Sequence, residues 1–584
     1  MNQPIKRRVL PLVLSFCMLL TCACKKGESK QQTTPDASFG EYVTELYRNE
    51  VVADTLTLHY SLAHPENYGI TMGEVTYGNY SQKEVTDSMP EIEASREKLL
   101  TFDYDTLCEE DQVLYDCILF TIDANLALGK YEYYSEPLGP TTGLQAQLPV
   151  LLAEYHFYTK EDIEIYLKLI SCTKDYFSQI AQYEREKSAA GTFMSESVAE
   201  DIINQCKNYI ENPKENLLIE CFNDKVENFD GLSRDEIILY EEQNRNAVLN
   251  SVIPAYELLI DTLTELKSTA LYNGGVCSLP DGAEYFEELV RYQTGSSKTI
   301  KQMQKRLTTA VQSSLVSMSA AQFSDTELFD RYGALTYPEN DPAKGLEFLK
   351  NAIKEDFPAM DDVDYSVKYV HKSLQEYLSP AMYLVPPFDD RGNNNIYINQ
   401  NPDYSSDDLF TTLAHEGYPG HLYQNVYYLG TDPQPLQQLL RTSGYTEGWG
   451  TYAELYSYAL AGFDETLAKF CQDNMTTILS LYGLTEIGIH YTGWDEKNTT
   501  KFWGDYGIDE KTAKEIYQTV LAEPCSYLPY CIGYLEFLDL KKLAQEALGE
   551  DFTPLAFHTF LLELGPAPFA TVKTQMERWI KRMK

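Results

Sequence analysis

Two histidines, a glutamate directly after the first, and a second glutamate downstream concentrate the chemistry available to this chain. They stand in Ala414-His415-Glu416-Gly417-Tyr418-Pro419-Gly420-His421 and in Thr446-Glu447-Gly448-Trp449-Gly450. Two imidazoles and a carboxylate are the donor set of a catalytic zinc site, which keeps its fourth position for water. A further carboxylate beside the ion takes that water's proton. The expected roles are therefore His415, His421 and Glu447 as ligands and Glu416 as general base. Histidine is scarce, eight in 584 residues, so the pairing of two around one glutamate carries weight.

The spacing is unusual. Zinc-binding histidines on one helix face sit at i and i+4. Here they are at i and i+6, roughly 120° apart on an ideal helix, so the helix must break between them. Pro419 lacks an N–H and would clash with the carbonyl of residue 415, while Gly417 and Gly420 permit unusual dihedrals. Glu447 follows after enough chain to finish one helix, turn, and return another past the ion. Glu454 lies two helical turns beyond Glu447. It is either a rival ligand or a second carboxylate that holds a histidine N–H. Arg391 and Arg441 are candidates to clamp a substrate carboxylate through a bidentate pair.

The run HEGYPGH with Gln424, followed by Glu447-Gly448-Trp449-x-x-Tyr452-x-Glu454, resembles the bacterial family called domain of unknown function 885. That family is similar to the all-helical zinc carboxypeptidases and oligopeptidases of the gluzincin type. The resemblance continues at Leu279-Pro280-x-Gly282, Gly488-Ile489-His490 and Tyr530-x-Ile532-Gly533-Tyr534, and so covers most of the chain. It implies a mainly α-helical, two-lobed fold with a deep central cleft, a small β element at the cleft edge, a zinc ion and a peptide substrate. It also makes His490 and Tyr530 the candidate donors to a reaction oxyanion, with Tyr527 and Tyr534 as rivals. The β-like run Ile396-Tyr397-Ile398-Asn399 would line the cleft and pair with extended substrate through a strand edge, which places Asn399 among the substrate-binding residues.

The elements that must position these groups follow from the rest of the chain. Lys6-Arg7-Arg8 before the apolar run Val9 to Leu20 reads as a signal peptide over residues 1–23. Leu20-Thr21-Cys22-Ala23-Cys24 is similar to a bacterial lipobox, with Cys24 the acceptor and Cys22 the runner-up, so the expected product is an extracytoplasmic lipoprotein held to the membrane. Residues 24–38 are polar and read as a tether. A helical N-terminal lobe is expected over 39–335 and a helical catalytic lobe over 336–584, divided near Tyr337-Pro338-Glu339-Asn340-Asp341-Pro342. Ser233-Arg234-Asp235-Glu236 predicts a capped helix start. Val252-Ile253-Pro254 predicts another start, and Ser405-Ser406-Asp407-Asp408 the start of the helix that carries His415.

Charge is strongly acidic, 88 acidic against 47 basic residues, which argues against nucleic acid as a partner. Nine cysteines lie beyond Cys24 without close C-x-x-C spacing, so free buried thiols are expected. Three functions compete: a zinc peptidase, a zinc hydrolase of another amide such as cell-wall material, and a binding lipoprotein without catalysis.

Overall fold

The computed structural model describes residues 35–584 apart from 373–374, 376–377 and 402–408. The expected signal peptide, Cys24, most of the tether and the helix start at Ser405–Asp408 lie outside the described residues. The tether expected to run to residue 38 ends sooner, because a helix already spans Pro35–Val51.

The fold is mainly α-helical, with one small sheet. Local sequence signals act as expected where their partners are local. Ser233 and Glu236 form a reciprocal capping box, and the helix Arg234–Ala247 follows. Val252-Ile253-Pro254 does not open a new helix. The chain passes from Ala247 through a wide turn at Val248–Val252 directly into Ile253–Leu266. Pro254 has no N–H to give and crowds the carbonyl four residues back, and the wide turn relieves both.

The apolar side chains gather in three clusters. One fills the space among the helices of residues 144–266. A second, small one lies around Phe39, Leu99 and Ile118. The third surrounds the His/Glu motif and runs across residue 335: Phe286, Met303 and Leu307 share it with Trp449, Ile487 and Phe537. In it the helix Ile300–Ser324 packs along the long helix Glu465–His490.

Three strands are present, β1 (Tyr365–Tyr369), β2 (Ala381–Leu384) and β3 (Asn394–Ile398), in the order β1-β3-β2. β3 pairs parallel with β1 and antiparallel with β2. This corrects the expectation for Ile396–Asn399, because β3 is the central strand and has no free edge to offer a substrate. Period-two alternation gives the sheet two buried faces. Ala381, Tyr383, Ile396 and Ile398 pack into the core around the motif, whereas Met382, Leu384 and Tyr397 pack onto the N-terminal cluster.

Candidate metal centre

The motif helix Leu409–Glu416 ends immediately after His415 and Glu416, and a new helix, His421–Gly430, begins at the second histidine. The break is built from residues 417–420, with a cis bond at Tyr418–Pro419. Neither Gly417 nor Gly420 has a positive φ, yet Gly420, at φ −79° and ψ −133°, lies outside the regions open to a residue with a side chain, so it uses the dihedral freedom expected of it. Both glycines also supply room: a Cβ on Gly420 would lie 1.7 Å from the His415 carbonyl oxygen, and one on Gly417 2.3 Å from Leu346. Only a chain without side chains there can fold back far enough to bring residue 421 beside residue 415.

Glu447 comes from the helix Ser443–Leu460, which returns past the motif. Trp449 pins that helix to the break by donating from Nε1 to the Pro419 carbonyl at 2.9 Å. Its other side crosses the helix Leu528–Leu548 at backbone contact, because Gly444 and Gly448 meet Gly533 with no Cβ between them. Gly450 faces the motif, and a Cβ there would sit 2.6 Å from His415 Nε2.

Among the described residues, one set of three metal-binding side chains lies close enough to share an ion: His415, His421 and Glu447, whose ligand atoms are all within 4.8 Å of one another. Glu447 Oε2 is 3.6 Å from Nε2 of each histidine. Tetrahedral bonds of 2.0–2.1 Å would put ligand atoms about 3.4 Å apart, so the geometry fits zinc. The three residues are 1%, 4% and 3% exposed, yet both Nε2 atoms and both Glu447 oxygens make no hydrogen bond. Buried polar atoms normally have partners. Four that converge without any match the donor set of a cation site.

The surrounding charges agree. Burial alone would push the Glu447 carboxyl up, but the two histidines overcome it and hold the group well below its ordinary range. Burial opposes a charge on His415, yet Glu447 and Glu454 raise its affinity for a proton. The same negative surroundings favour a cation at this point.

Glu454 lies on the other side of the His415 ring, with Oε2 3.3 Å from Nδ1. It is thus placed to orient the ring, opposite the Nε2 that faces Glu447. Glu416 accepts the backbone N–H of Tyr383 in β2 at 2.8 Å through Oε2, while its buried Oε1 is unpaired. Burial raises the Glu416 pKa against the pull of His421 and His415. Tyr530 stacks toward the His415 ring at 6.2 Å between centroids, and its hydroxyl is buried without a partner. Glu486 sets the helix that carries Tyr530 by accepting the N–H groups of Ser526, Tyr527 and Leu528. The rival Tyr534 is engaged with Thr476 instead.

Three expected site residues are not brought to the centre. His490 is a structural histidine: Nε2 donates to the Val520 carbonyl at 2.8 Å and Nδ1 accepts the Val276 N–H at 3.2 Å. Both nitrogens are used, so none remains for an oxyanion. Asn399 donates twice, to the carbonyls of Gln375 and Leu378, and accepts from the Asn401 N–H, which ties down its own loop. Arg391 is half exposed and faces Asp432 at 3.8 Å. Arg441, by contrast, lines a narrow cavity with His421, Tyr383, Gln424 and Asn425. The sequence reading missed Tyr383 and Asn425, which carry no motif. The nine described cysteines are all free, five of them buried. No described helix is long and apolar enough to cross a membrane.

Known proteins give the chain a setting. A crystallised candidate lipoprotein from Colwellia psychrerythraea superposes with a TM-score of 0.81 at 16% identity, over 94% of this chain and all of that one. A second, from Shewanella oneidensis and described as of unknown function, gives 0.61 at 15% identity, over 93% and 99%. These likenesses show the shared fold. An oligoendopeptidase F candidate from Bacillus anthracis str. Ames, 12% identical over 85% of this chain and 96% of its own, reaches only 0.29, too low to show a common fold. No curated protein matches the chain at a significant level. The model of the bacterial proteins of unknown function DUF885 matches residues 66–576, nearly the whole described chain, and the chain belongs to that family.

Proposed function

We propose that this protein is an extracytoplasmic zinc hydrolase of peptides, anchored by a lipid on Cys24. The observation that carries the proposal is the buried, unpaired set His415, His421 and Glu447 with the free Oε1 of Glu416 beside it. In this reading the two Nε2 atoms and the Glu447 carboxylate hold zinc, and Glu454 keeps the His415 ring in register by accepting its Nδ1–H. When bound, zinc lowers the pKa of a water and polarises a carbonyl.

The chain's own residues do the rest. Glu416 Oε1 removes a proton as the water oxygen bonds to the scissile carbonyl carbon. The C–N bond then breaks, and Glu416 returns that proton to the departing amine. The Tyr383 N–H holds the other carboxylate oxygen, so the base cannot swing away, and a pKa raised by burial suits a group that must take and release the same proton. Tyr530 donates its hydroxyl hydrogen to the oxyanion. The lipid anchor is supported by the candidate-lipoprotein neighbours together with the basic and apolar residues before Cys24.

Zinc per chain, measured beside digestion of a mixed peptide library, tests this. His415→Ala should lose both metal and turnover. Glu416→Gln should keep zinc and lose roughly 10²–10⁴-fold in rate. Full turnover in Glu416→Gln, or no zinc in the wild-type protein, refutes the proposal.

A further inference from the structure

Arg441 stands in the short connection before the helix that carries Glu447, and it is a charge without an opposite charge. Its Nη2 donates to Asn425 Oδ1 at 2.7 Å, while its Nε is buried and has no partner. Among the described residues no carboxylate forms an ion pair with it, in a chain with 88 acidic residues. Burial pulls the guanidinium pKa down to about 10, although part of the side chain still meets solvent. Such a group is retained at a cost unless something anionic joins it.

Its surroundings aim it. Asn425 Nδ2 donates to the Tyr383 hydroxyl at 3.3 Å, and that hydroxyl donates to Asn394 Oδ1 at 2.6 Å. The amide oxygen that holds Arg441 is therefore fixed from the sheet. The cavity that Arg441 lines is also lined by His421 and by Gln424, whose Nε2 is a second buried donor without a partner. Two unsatisfied donors and no acid in one cavity describe a carboxylate receptor, and the planar fork of arginine matches a carboxylate through paired hydrogen bonds.

We propose that Arg441 and Gln424 form the subsite for the C-terminal carboxylate of the peptide, which makes the enzyme an exopeptidase that removes residues from the carboxyl end. This rests on the zinc-hydrolase reading, because it is His421, a proposed ligand on the wall of the same cavity, that puts the captured carboxylate next to the bond to be cut. The chain end is then the measuring point, and peptides are held in one register. An acidic side chain offers the same carboxylate, so the test must separate the two sources.

The test compares three N-acetylated tetrapeptide libraries on the zinc-loaded, full-length protein: free acids, the same sequences as carboxamides, and carboxamides containing glutamate. Free acids should be cut at the last or second-last bond, with kcat/KM at least about 30-fold above the carboxamides, the size expected when a buried charge loses its partner. Arg441→Met should erase that difference by raising KM for the acids alone, with zinc content unchanged. Arg441→Lys keeps charge without the fork and should recover part of it.

Equal cutting of acids and carboxamides, or an Arg441→Met loss shared by both, overturns the proposal and leaves Arg441 a structural residue. Cutting of glutamate carboxamides as fast as free acids overturns the C-terminal assignment. If no library is cut, the hydrolase reading has failed on its own, and calorimetry with N-acetyl-alanyl-phenylalanine and its carboxamide still decides the subsite. A preference for the acid that Arg441→Met abolishes supports it, and equal affinity overturns it.

Discussion

Replacing Gly450 by alanine adds a single methyl group and puts it against His415, a proposed zinc ligand. The new Cβ would lie 2.6 Å from His415 Nε2, 2.8 Å from Cε1 and 2.9 Å from Cδ2. To reach the 3.4 Å at which ordinary contact begins, the ring must retreat by about 0.8 Å, whereas a metal site tolerates about 0.2 Å in a ligand distance. The ring cannot turn aside freely, because Glu454 holds its far nitrogen and the residue is 1% exposed. Alanine favours a helix over glycine by up to about 1 kcal/mol, while overpacking costs about 1–3 kcal/mol. The metal-free protein should therefore lose no more than about 2 kcal/mol. Zinc affinity should fall by at least the 10–100-fold that follows loss of ligand orientation. Competition with a chelator of known zinc affinity measures the second quantity, and urea unfolding of the metal-free protein the first. Gly430→Ala, where a Cβ would meet nothing within 4 Å, is the control. A folded Gly450→Ala protein with wild-type zinc affinity would refute the placement of His415 in the metal shell.

Two further predictions use the same measurements. Glu454→Ala should weaken zinc binding about 10–100-fold while leaving all three ligands in place. A loss as complete as that in Glu447→Ala would make Glu454 a ligand instead. Glu50 is buried near the end of the first helix, and burial raises its pKa from 4.5 to about 8. The fold therefore favours its protonated form. That stability is fully present below pH 4.5, is lost as pH rises through about 8, and is flat above. Glu50→Gln should remove this slope, so its advantage over wild type in urea unfolding should grow between pH 5 and 8, toward roughly 4 kcal/mol at most. Parallel curves for the two proteins would show that Glu50 keeps its charge in water.

What was legible in the sequence was local. The capping box at Ser233 needs only a residue three positions away, and HEGYPGH carries its break within itself. Even there the reason was incomplete, since Gly417 and Gly420 also serve by leaving room that a side chain would fill. Glu454 could not be resolved from sequence, because a two-turn spacing fixes the helix face but not which side of the His415 ring the carboxylate meets. His490 and Asn399 were misplaced for a related reason. Their polar atoms are taken by backbone groups at Val276, Val520, Gln375 and Leu378, and a backbone partner leaves no mark in residue type. β1 and β2 were missed as well. Each is a short strand held by β3 across a stretch of irregular chain, and neither shows a run long enough to announce itself.

The sheet with two buried faces has a consequence for how the molecule can be divided. A fragment that starts at residue 336 would carry Met382, Leu384 and Tyr397 with nothing to cover them, and the helix Glu465–His490 without Ile300–Ser324 along its flank. The sheet is therefore a party wall. It belongs to both halves, and neither half stands without it. The same wall donates the Tyr383 N–H to Glu416, so the carboxylate proposed as general base is held by an element that both halves share.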